Sequence, residues 1–268
     1  MSVQPLPFGV LLRRWRERRR MTQADLAFAA ESSTRHLSCL ETGRAQPSRE
    51  MIVRLAENLN IPLRDRNTLL LAAGFAPAFR ERSLTELEAA KKAIDKILQA
   101  HKPYPAFAVD RHWNVIQSNS VLPQLYEGCS ADLLRPPVNS VRLLLHPAGM
   151  GPRIVNFAAW RAHTLQVLRQ QLEVRADPVI QGLLSEVASY PIPANSEPAN
   201  HFEVSQRLAT PLQIATPCGT VSFLSTVTVF GTASDVTLSE LALEMLFPAD
   251  GETVEVVNKM TVELANSP

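Results

Sequence analysis

A short run of polar side chains near the N-terminus has the residue types that recognise nucleic-acid bases. These side chains share one face of a predicted helix, away from an apolar stripe formed by Leu37 and Leu40. They are Thr34, Arg35, Ser38 and Cys39. An arginine presented in this way can donate two hydrogen bonds to the O6 and N7 atoms of guanine. The chemistry indicated here is reversible hydrogen bonding to base edges.

Two short helices joined by a tight turn are predicted over residues 20–44. Thr22 and Asp25 form the capping-box pattern Thr-x-x-Asp that begins the first helix, and Ser32 or Ser33 can cap the second. In a helix-turn-helix, the second helix enters the major groove of DNA with its N-terminal residues at the base edges. The pattern favours this arrangement, while an ordinary corner between two helices remains the alternative.

The run TQADLAFAAESSTRHLSCLETGRAQPS resembles the Cro/phage-repressor helix-turn-helix family, also called the xenobiotic-response-element family. The resemblance covers roughly residues 6–75 and implies binding to double-stranded DNA. It implies that Gln23 and Arg44 contact backbone phosphates, and that Glu41 pairs with a basic residue of the preceding helix, here Arg16. The predicted DNA-binding residues are Gln23, Ser33, Thr34, Arg35, Ser38, Cys39 and Arg44.

Length and composition indicate two globular domains. The chain has 268 residues, of which 46% are hydrophobic, which is enough for two packed cores. It contains no apolar run of about 18 residues that could span a membrane, and its first residues lack the pattern of a secretory signal. The cysteines, Cys39, Cys129 and Cys218, are too scattered for a disulfide framework or a metal cluster. We therefore expect a cytoplasmic protein with no contact to a membrane.

Positive charge is concentrated at the N-terminus. Residues 1–82 contain 14 Lys and Arg against 8 Asp and Glu, a net charge of +6, whereas the rest of the chain has a net charge of −5. This asymmetry is what we expect if only the first domain meets phosphate, although basic runs are also common on solvated faces.

The N-terminal domain is predicted as an all-α helix-turn-helix bundle over residues 1–76. Its first helix spans residues 6–20, with arginines around the apolar stripe, some of which are expected along the DNA backbone. Further helices begin at Pro47–Ser48 and at Pro62. Residues 77–102 are predicted as a linker with a connector helix. This helix could instead be a dimer seam or the first helix of the next domain.

The C-terminal domain, residues 103–268, is predicted as an α+β, PAS-like fold with an antiparallel sheet. Two short strands with a turn at Asp110–Arg111 open it, with Trp113, Val115 and Gln117 alternating along the second strand. Helices are predicted over 154–175 and 177–191. Three strands follow, and the last, LALEMLF, alternates through Leu241, Leu243, Met245 and Phe247.

This second domain resembles the ligand-binding domain of MmyB-like transcription regulators over roughly residues 85–258. The resemblance rests on PAFAVDRHWNVIQSN, NSVRLLLHPAGMGPRIVNFAAW, the Leu-Arg pair 168–169, DPVIQGLLSEV and FPADGET. It implies a homodimer and the binding of a small hydrophobic ligand, with a fatty acid as the best candidate and possible effector. It implies no other cofactor.

An acyl chain needs an apolar slot and a donor or cation for its carboxylate. The residues predicted to line the slot are Phe107, Trp113, Leu144, Phe157, Trp160 and Phe223. Arg142 or His163 is predicted to hold the head group. For each residue taken singly, simple core packing is the alternative, and for Arg142 it is a surface position whose stem packs on its helix.

The sequence offers no arrangement typical of catalysis or metal binding. It has no Gly-x-Ser-x-Gly elbow, no glycine-rich phosphate loop and no His-Glu-x-x-His motif. The histidines, His36, His101, His112, His146, His163 and His201, lack metal-ligand spacing. We therefore predict a ligand-sensing DNA-binding regulator that is not an enzyme, with no catalytic or metal site. The alternatives are a second domain that only dimerises or binds a protein partner, and an enzyme fused to a DNA-binding head.

Overall fold

The computed structural model describes residues 6–83, 86–193, 210–231 and 235–265, without the side chains of 261–265. The chain divides into two compact units. Unit 1 comprises Met1–Glu86 and Gly231–Ser239, and unit 2 comprises Leu87–Phe230 and Glu240–Pro268. The first division between them falls inside the segment 77–102, which the sequence predicts as a linker.

Unit 1 begins with five helices, as predicted. They are α1 (Phe8–Arg18), α2 (Gln23–Ala29), α3 (Thr34–Glu41), α4 (Arg49–Asn58) and α5 (Leu63–Ala72). Side chains cap three of them at the N-terminus: Thr22 caps α2 through a complete capping box with Asp25, Ser33 caps α3 and Ser48 caps α4. Each cap satisfies a backbone N–H that the helix itself leaves without a partner.

The predicted apolar stripes of these helices meet in one core. Its central residues are Leu12, Leu26, Leu37, Leu40, Ile52, Leu55, Leu59, Ile61, Leu69 and Leu70, each at most 1% exposed. Gly9 lets α1 lie directly on the end of α3, since a Cβ at this position would stand 2.4 Å from the carbonyl oxygen of Leu40. This packing holds α3 firmly while leaving its other face open.

Unit 2 is an α+β domain built around a five-stranded antiparallel sheet. The strands are β1 (Ala106–Val109), β2 (Val115–Ser118), β3 (Leu212–Thr216), β4 (Gly219–Val229) and β5 (Ala242–Pro248), in the sheet order β2-β1-β5-β4-β3. The helices of this unit are α6 (Glu88–Ala100), α7 (Ser140–Leu145), α8 (Phe157–Val174), α9 (Pro178–Ala188) and α11 (Gly251–Ala265). Short 3-10 segments lie at Leu122–Tyr126 and Gly151–Arg153.

The remaining helix, α10 (Val236–Ser239), lies in the connection between β4 and β5. That connection belongs to unit 1, where α10 packs against α5 and Asp235, only 1% exposed, pairs with Arg82. The chain therefore leaves unit 2 after β4, forms part of unit 1, and returns to unit 2 as β5.

Two details of the predicted strands need correction. Trp113 does not lie in a strand, because β2 begins at Val115 and Trp113 sits in the preceding turn with a left-handed φ of 70°. The alternation predicted for LALEMLF through one apolar face is also wrong. Both Leu243 and Leu246, which lie on opposite faces of β5, are buried.

Parts of some predictions lie outside the described residues. They include residues 84 and 85 of the predicted linker segment 77–102, His201, and residues 207–209, which begin the run RLATPLQIAT that predicts the first of the three later strands. Among the helices that the structure describes, none combines the length and apolar character needed to cross a bilayer.

Candidate functional site

The polar face of α3 is open, as the helix-turn-helix pattern predicts. Ser33, Thr34 and Arg35 at its N-terminal end are exposed, and Ser38 and Cys39 further along are half-buried. Arg44, just beyond the helix, is exposed as well. The Ser33 hydroxyl also accepts a hydrogen bond from the backbone N–H of His36, so this residue shapes the start of the helix.

A buried ion pair fixes α3 to α1 and α2. Arg16 donates two hydrogen bonds to Glu41, from Nε to Oε1 at 2.6 Å and from Nη2 to Oε2 at 2.9 Å. The hydrogen bonds that Arg16 donates to the Glu41 carboxylate raise the pKa of Arg16. Gln23 Nε2 donates to Glu41 Oε2 at 2.8 Å. The side chain predicted to touch phosphate is therefore bound to a buried carboxylate in this structure.

Two arginines in α1 or directly after it also form hydrogen bonds within the protein. Arg19 donates to the carbonyl oxygens of Leu59 and Asn60, and Arg13 donates to Glu17. The expectation that arginines of the predicted helix 6–20 follow the DNA backbone remains a prediction for the exposed Arg14 and Arg20.

Unit 2 contains a cavity of about 320 Å³ between the sheet and the helices α7 and α8. Most of its wall is apolar. The sheet contributes Phe107, Leu212, Ile214, Ser225, Val227, Glu244 and Leu246, and the remaining lining residues come from the segments before and along α7 and α8. Val227 is 58% exposed and His163 is exposed too, so the cavity opens to solvent near these side chains.

The structure brings together some of the predicted ligand-binding residues. Phe107, Trp113, Leu144, Trp160 and His163 line the cavity. Phe157 and Phe223 are fully buried in the surrounding core and are not among the lining residues. Partial burial among apolar groups lowers the pKa of His163, which disfavours a charged imidazolium at the cavity.

Arg142 of α7 is also absent from the cavity wall, because it forms an ion pair with Glu186 of α9. Its Nε and Nη2 donate to the two carboxylate oxygens of Glu186 at 2.6 and 2.7 Å. The Tyr190 hydroxyl donates to the same carboxylate. The hydrogen bonds from Arg142 lower the pKa of Glu186. The Arg142 guanidinium thus forms a bidentate ion pair with Glu186, which links α7 to α9.

Sequence reasoning missed the most distinctive polar group of the cavity, Glu244. The predicted alternation places Glu244 on the polar, outer face of its strand. In the structure Glu244 lines the cavity, where Ser225 Oγ donates to its Oε2 at 2.9 Å. The only signal in the sequence is an acidic residue inside an otherwise apolar strand, ALEMLFP.

Two tryptophans of the cavity wall carry features that cost stability. Trp113 has the left-handed φ of 70°, and its indole N–H donates to Gln171 Oε1 at 2.9 Å. The indole N–H of Trp160 is buried, and within the described part of the chain it has no hydrogen-bond acceptor. Strained backbone and unsatisfied buried groups are enriched at functional sites.

In the part of the chain that the structure describes, no three His, Cys, Asp or Glu side chains are grouped so that they could hold a metal ion.

A capped helix-turn-helix with an open recognition face, joined to an α+β domain with an apolar cavity, defines the class of DNA-binding transcription regulators. Residues 7–69 match the family model described as a helix-turn-helix domain. Residues 90–260, more than half of the chain, match the model described as the MmyB-like transcription regulator ligand binding domain. The chain therefore belongs to the family of MmyB-like transcription regulators.

Among solved structures, the chain is similar to the clp gene regulator ClgR from Corynebacterium glutamicum. The two are 27% identical, the match covers 36% of this chain and 90% of that chain, and the TM-score is 0.22. A search of curated proteins found no match.

Proposed function

We propose that this regulator binds an acyl-chain ligand, with a fatty acid as the first candidate, in the cavity of unit 2. The observation that carries the proposal is the cavity itself, whose volume of about 320 Å³ and apolar wall are typical of small-molecule sites. The costly features of Trp113 and Trp160 support it, because both side chains line this cavity.

The same cavity supports a binding role over an enzymatic one. Catalysis needs a nucleophile or a proton-transfer group held by an orienting partner at the reacting atoms. The hydroxyls of Ser140 and Thr164 donate to the backbone carbonyls of Trp113 and Trp160. Among the described lining residues, only Ser225 and Glu244 are joined to each other by a side-chain hydrogen bond, and this pair is suited to hydrogen bonding a ligand.

The regulator is further proposed to bind DNA as a homodimer on a near-palindromic operator. Two α3 helices would then enter successive major grooves about 34 Å apart. A bound ligand would change the operator affinity if it binds more tightly to one arrangement of the two N-terminal units than to another. The size of the change is limited by this difference in ligand affinity. The exposed polar face of α3 supports this role. Sedimentation of the chain with and without operator DNA tests the dimer.

The direct test of the ligand is mass spectrometry of small molecules released by denaturing the purified protein. We expect a fatty acid in near-stoichiometric amount. A blank extract, together with no heat of binding on titration with dodecanoate or dodecanol, would contradict the proposal and favour a second domain that only dimerises or binds a protein.

A pair of variants on β4 separates occupancy of the cavity from general damage. Val227 lines the cavity and Val229, on the same face of the strand, does not, although their exposures are similar at 58% and 62%. Val227→Trp should fill the cavity and lose the extractable lipid, whereas Val229→Trp should keep it. An aromatic residue is well accepted in an exposed strand.

A further inference from the structure

The polar lining of the cavity is acidic, although a carboxylate ligand would call for a cation. No lysine or arginine occurs among the described residues that line it. The nearest candidate in the sequence, Arg142, is held by Glu186. The imidazole of His163 has a lowered pKa and is therefore a poor cation at neutral pH.

Glu244 lies in β5, between β1 and β4, and its carboxyl group lies in the cavity wall among residues of all three strands. It pairs with Phe107 of β1 on one side and with Val227 of β4 on the other, and all three side chains line the cavity. Ser225, one pair further along β4, donates to Glu244 Oε2. One oxygen of the carboxyl group thus accepts a hydrogen bond from the protein, while the other has no hydrogen-bond donor among the described residues.

The surroundings of Glu244 favour its uncharged form. Burial raises its pKa, and the hydrogen bond from Ser225 opposes this only in part. The strands β1, β4 and β5 carry no other charged residue. The other titratable groups on the cavity wall are His163 on α8 and Tyr126. Burial lowers the pKa of the first and raises that of the second, so both favour the neutral state.

We propose that Glu244 and Ser225 form a head-group subsite that accepts an uncharged, hydrogen-bonding head, such as a long-chain alcohol, an amide or an acid that shares a proton. This inference rests on the proposed binding of an acyl chain in the same cavity. A protonated Glu244 can donate to the ligand, and a hydroxyl or amide head can accept from it and donate back. Two ionised carboxyl groups cannot share this site without strong repulsion, so a fatty acid binds there with one proton between the two groups.

The test compares dodecanol with dodecanoate by calorimetric titration of the full chain at about pH 6 and about pH 9. Dodecanoate is ionised in solution over this range, because free carboxyl groups titrate near pH 4–5. Its binding therefore requires the proton on Glu244, and its affinity should fall by up to about tenfold per pH unit above the pKa of Glu244. Dodecanol affinity should change little with pH.

Glu244→Gln keeps the shape of the side chain and supplies a donor that does not titrate. It should make dodecanoate binding independent of pH and at least about tenfold tighter than wild type at about pH 9, while dodecanol binding stays within a few-fold. Glu255→Gln, an exposed position on α11, is the matched control and should behave as wild type. Thermal unfolding of each variant shows whether it is folded.

Dodecanoate affinity that is the same in wild type and Glu244→Gln at both pH values overturns the head-group subsite. Binding of both probes would in that case leave the proposed acyl-chain function standing. If neither probe binds to wild type, the proposed function and the subsite fall together.

Discussion

At the scale of single residues, the ion pair of Arg16 with Glu41 is the clearest link between sequence and DNA-binding geometry. The Glu41 side chain is 2% exposed and receives hydrogen bonds from Arg16 and Gln23. A buried charge pair contributes little net stability, but removing one partner leaves the other charge buried and alone. The pair therefore fixes the position of α3 relative to α1 more than it adds to stability.

Glu41→Ala should lower the free energy of unfolding of unit 1 by about 3–5 kcal/mol. Glu41→Gln keeps an oxygen that accepts a hydrogen bond from Arg16, so it should lower the free energy of unfolding by less. Urea unfolding of the full chain, followed by circular dichroism, measures both losses. A loss below about 1 kcal/mol for the alanine variant would contradict a buried pair of this importance.

The exposed Arg35 is expected to read a base, and Arg44 a phosphate. Arg35→Ala should cost about 1–3 kcal/mol at one base position and relax the preference there. Arg44→Ala should weaken all sequences alike and reduce the salt slope by about 1. Selection from randomised duplexes, followed by fluorescence anisotropy at several salt concentrations, measures these effects. If Arg35→Ala kept full affinity and an unchanged base preference, Arg35 would not recognise a base.

The raised pKa of Glu244 has a consequence for stability. The folded chain binds the Glu244 proton more tightly than the unfolded chain does, so the stabilising effect of this proton is complete below the unfolded pKa, near 4.3. It is lost as the pH rises through the folded pKa. Unit 2 of wild type should therefore unfold at lower temperature at pH 8 than at pH 5, and Glu244→Gln should lose less over the same range. Unfolding temperatures that fall equally in the two proteins between pH 5 and pH 8 would argue against a raised pKa of Glu244 in the folded chain.

At the scale of elements, α7 depends on its cap. Asn139 is 7% exposed, its Oδ1 accepts from the backbone N–H of Arg142, and its Nδ2 donates to the carbonyl oxygen of His112. The helix it begins carries Ser140, Val141, Leu143 and Leu144 to the cavity wall. Asn139 therefore positions one side of the cavity without lining it.

Asn139→Ala should destabilise unit 2 by about 1–2 kcal/mol and weaken dodecanol binding, because the start of α7 frays. Asn139→Ser keeps a side-chain oxygen that can cap the helix. It loses only the hydrogen bonds that Nδ2 donates to the carbonyl oxygen of His112 and to Asn114 Oδ1, so its effect should be smaller. Calorimetric titration and thermal unfolding give both quantities. If Asn139→Ala bound dodecanol as tightly as wild type does, the cavity wall would not depend on the Asn139 cap of α7.

Much of unit 1 could be predicted because its determinants are local. The Thr22–Asp25 capping box, the cap at Ser33 and the spacing of Leu37 and Leu40 lie within a few residues of the structure that they specify. They fix both the helices and the face of α3 that remains open.

The cavity of unit 2 could be predicted only in part, because its determinants are distant in sequence. Strand β5 is buried on both faces at Leu243 and Leu246, so alternation could not identify the face that Glu244 occupies. Arg142 and its partner Glu186 are 44 positions apart, and nothing local indicates that this arginine is already paired. Phe157 and Phe223 are predicted to line the slot but lie in the core, because the bulk of a side chain does not distinguish a core position from a cavity wall.

At the scale of the whole molecule, the excess of positive charge and the cavity lie in different parts of the chain. Residues 1–82 have a net charge of +6, while the remainder has −5. The basic part contains the open face of α3, and the acidic part contains the cavity. Strands β4 and β5 both line the cavity, and the connection between them belongs to unit 1. The chain thus connects the proposed ligand site to the unit that contains the helix-turn-helix.

The measurement that tests this account most directly is operator affinity with and without saturating dodecanol, in wild type and in Val227→Trp. Coupling between a ligand and a second site amounts to about 1–3 kcal/mol in known allosteric proteins. We therefore predict that dodecanol changes the wild-type affinity by about fivefold or more and leaves that of Val227→Trp unchanged. Equal operator affinity in wild type with and without bound dodecanol would contradict the claim that the cavity regulates DNA binding.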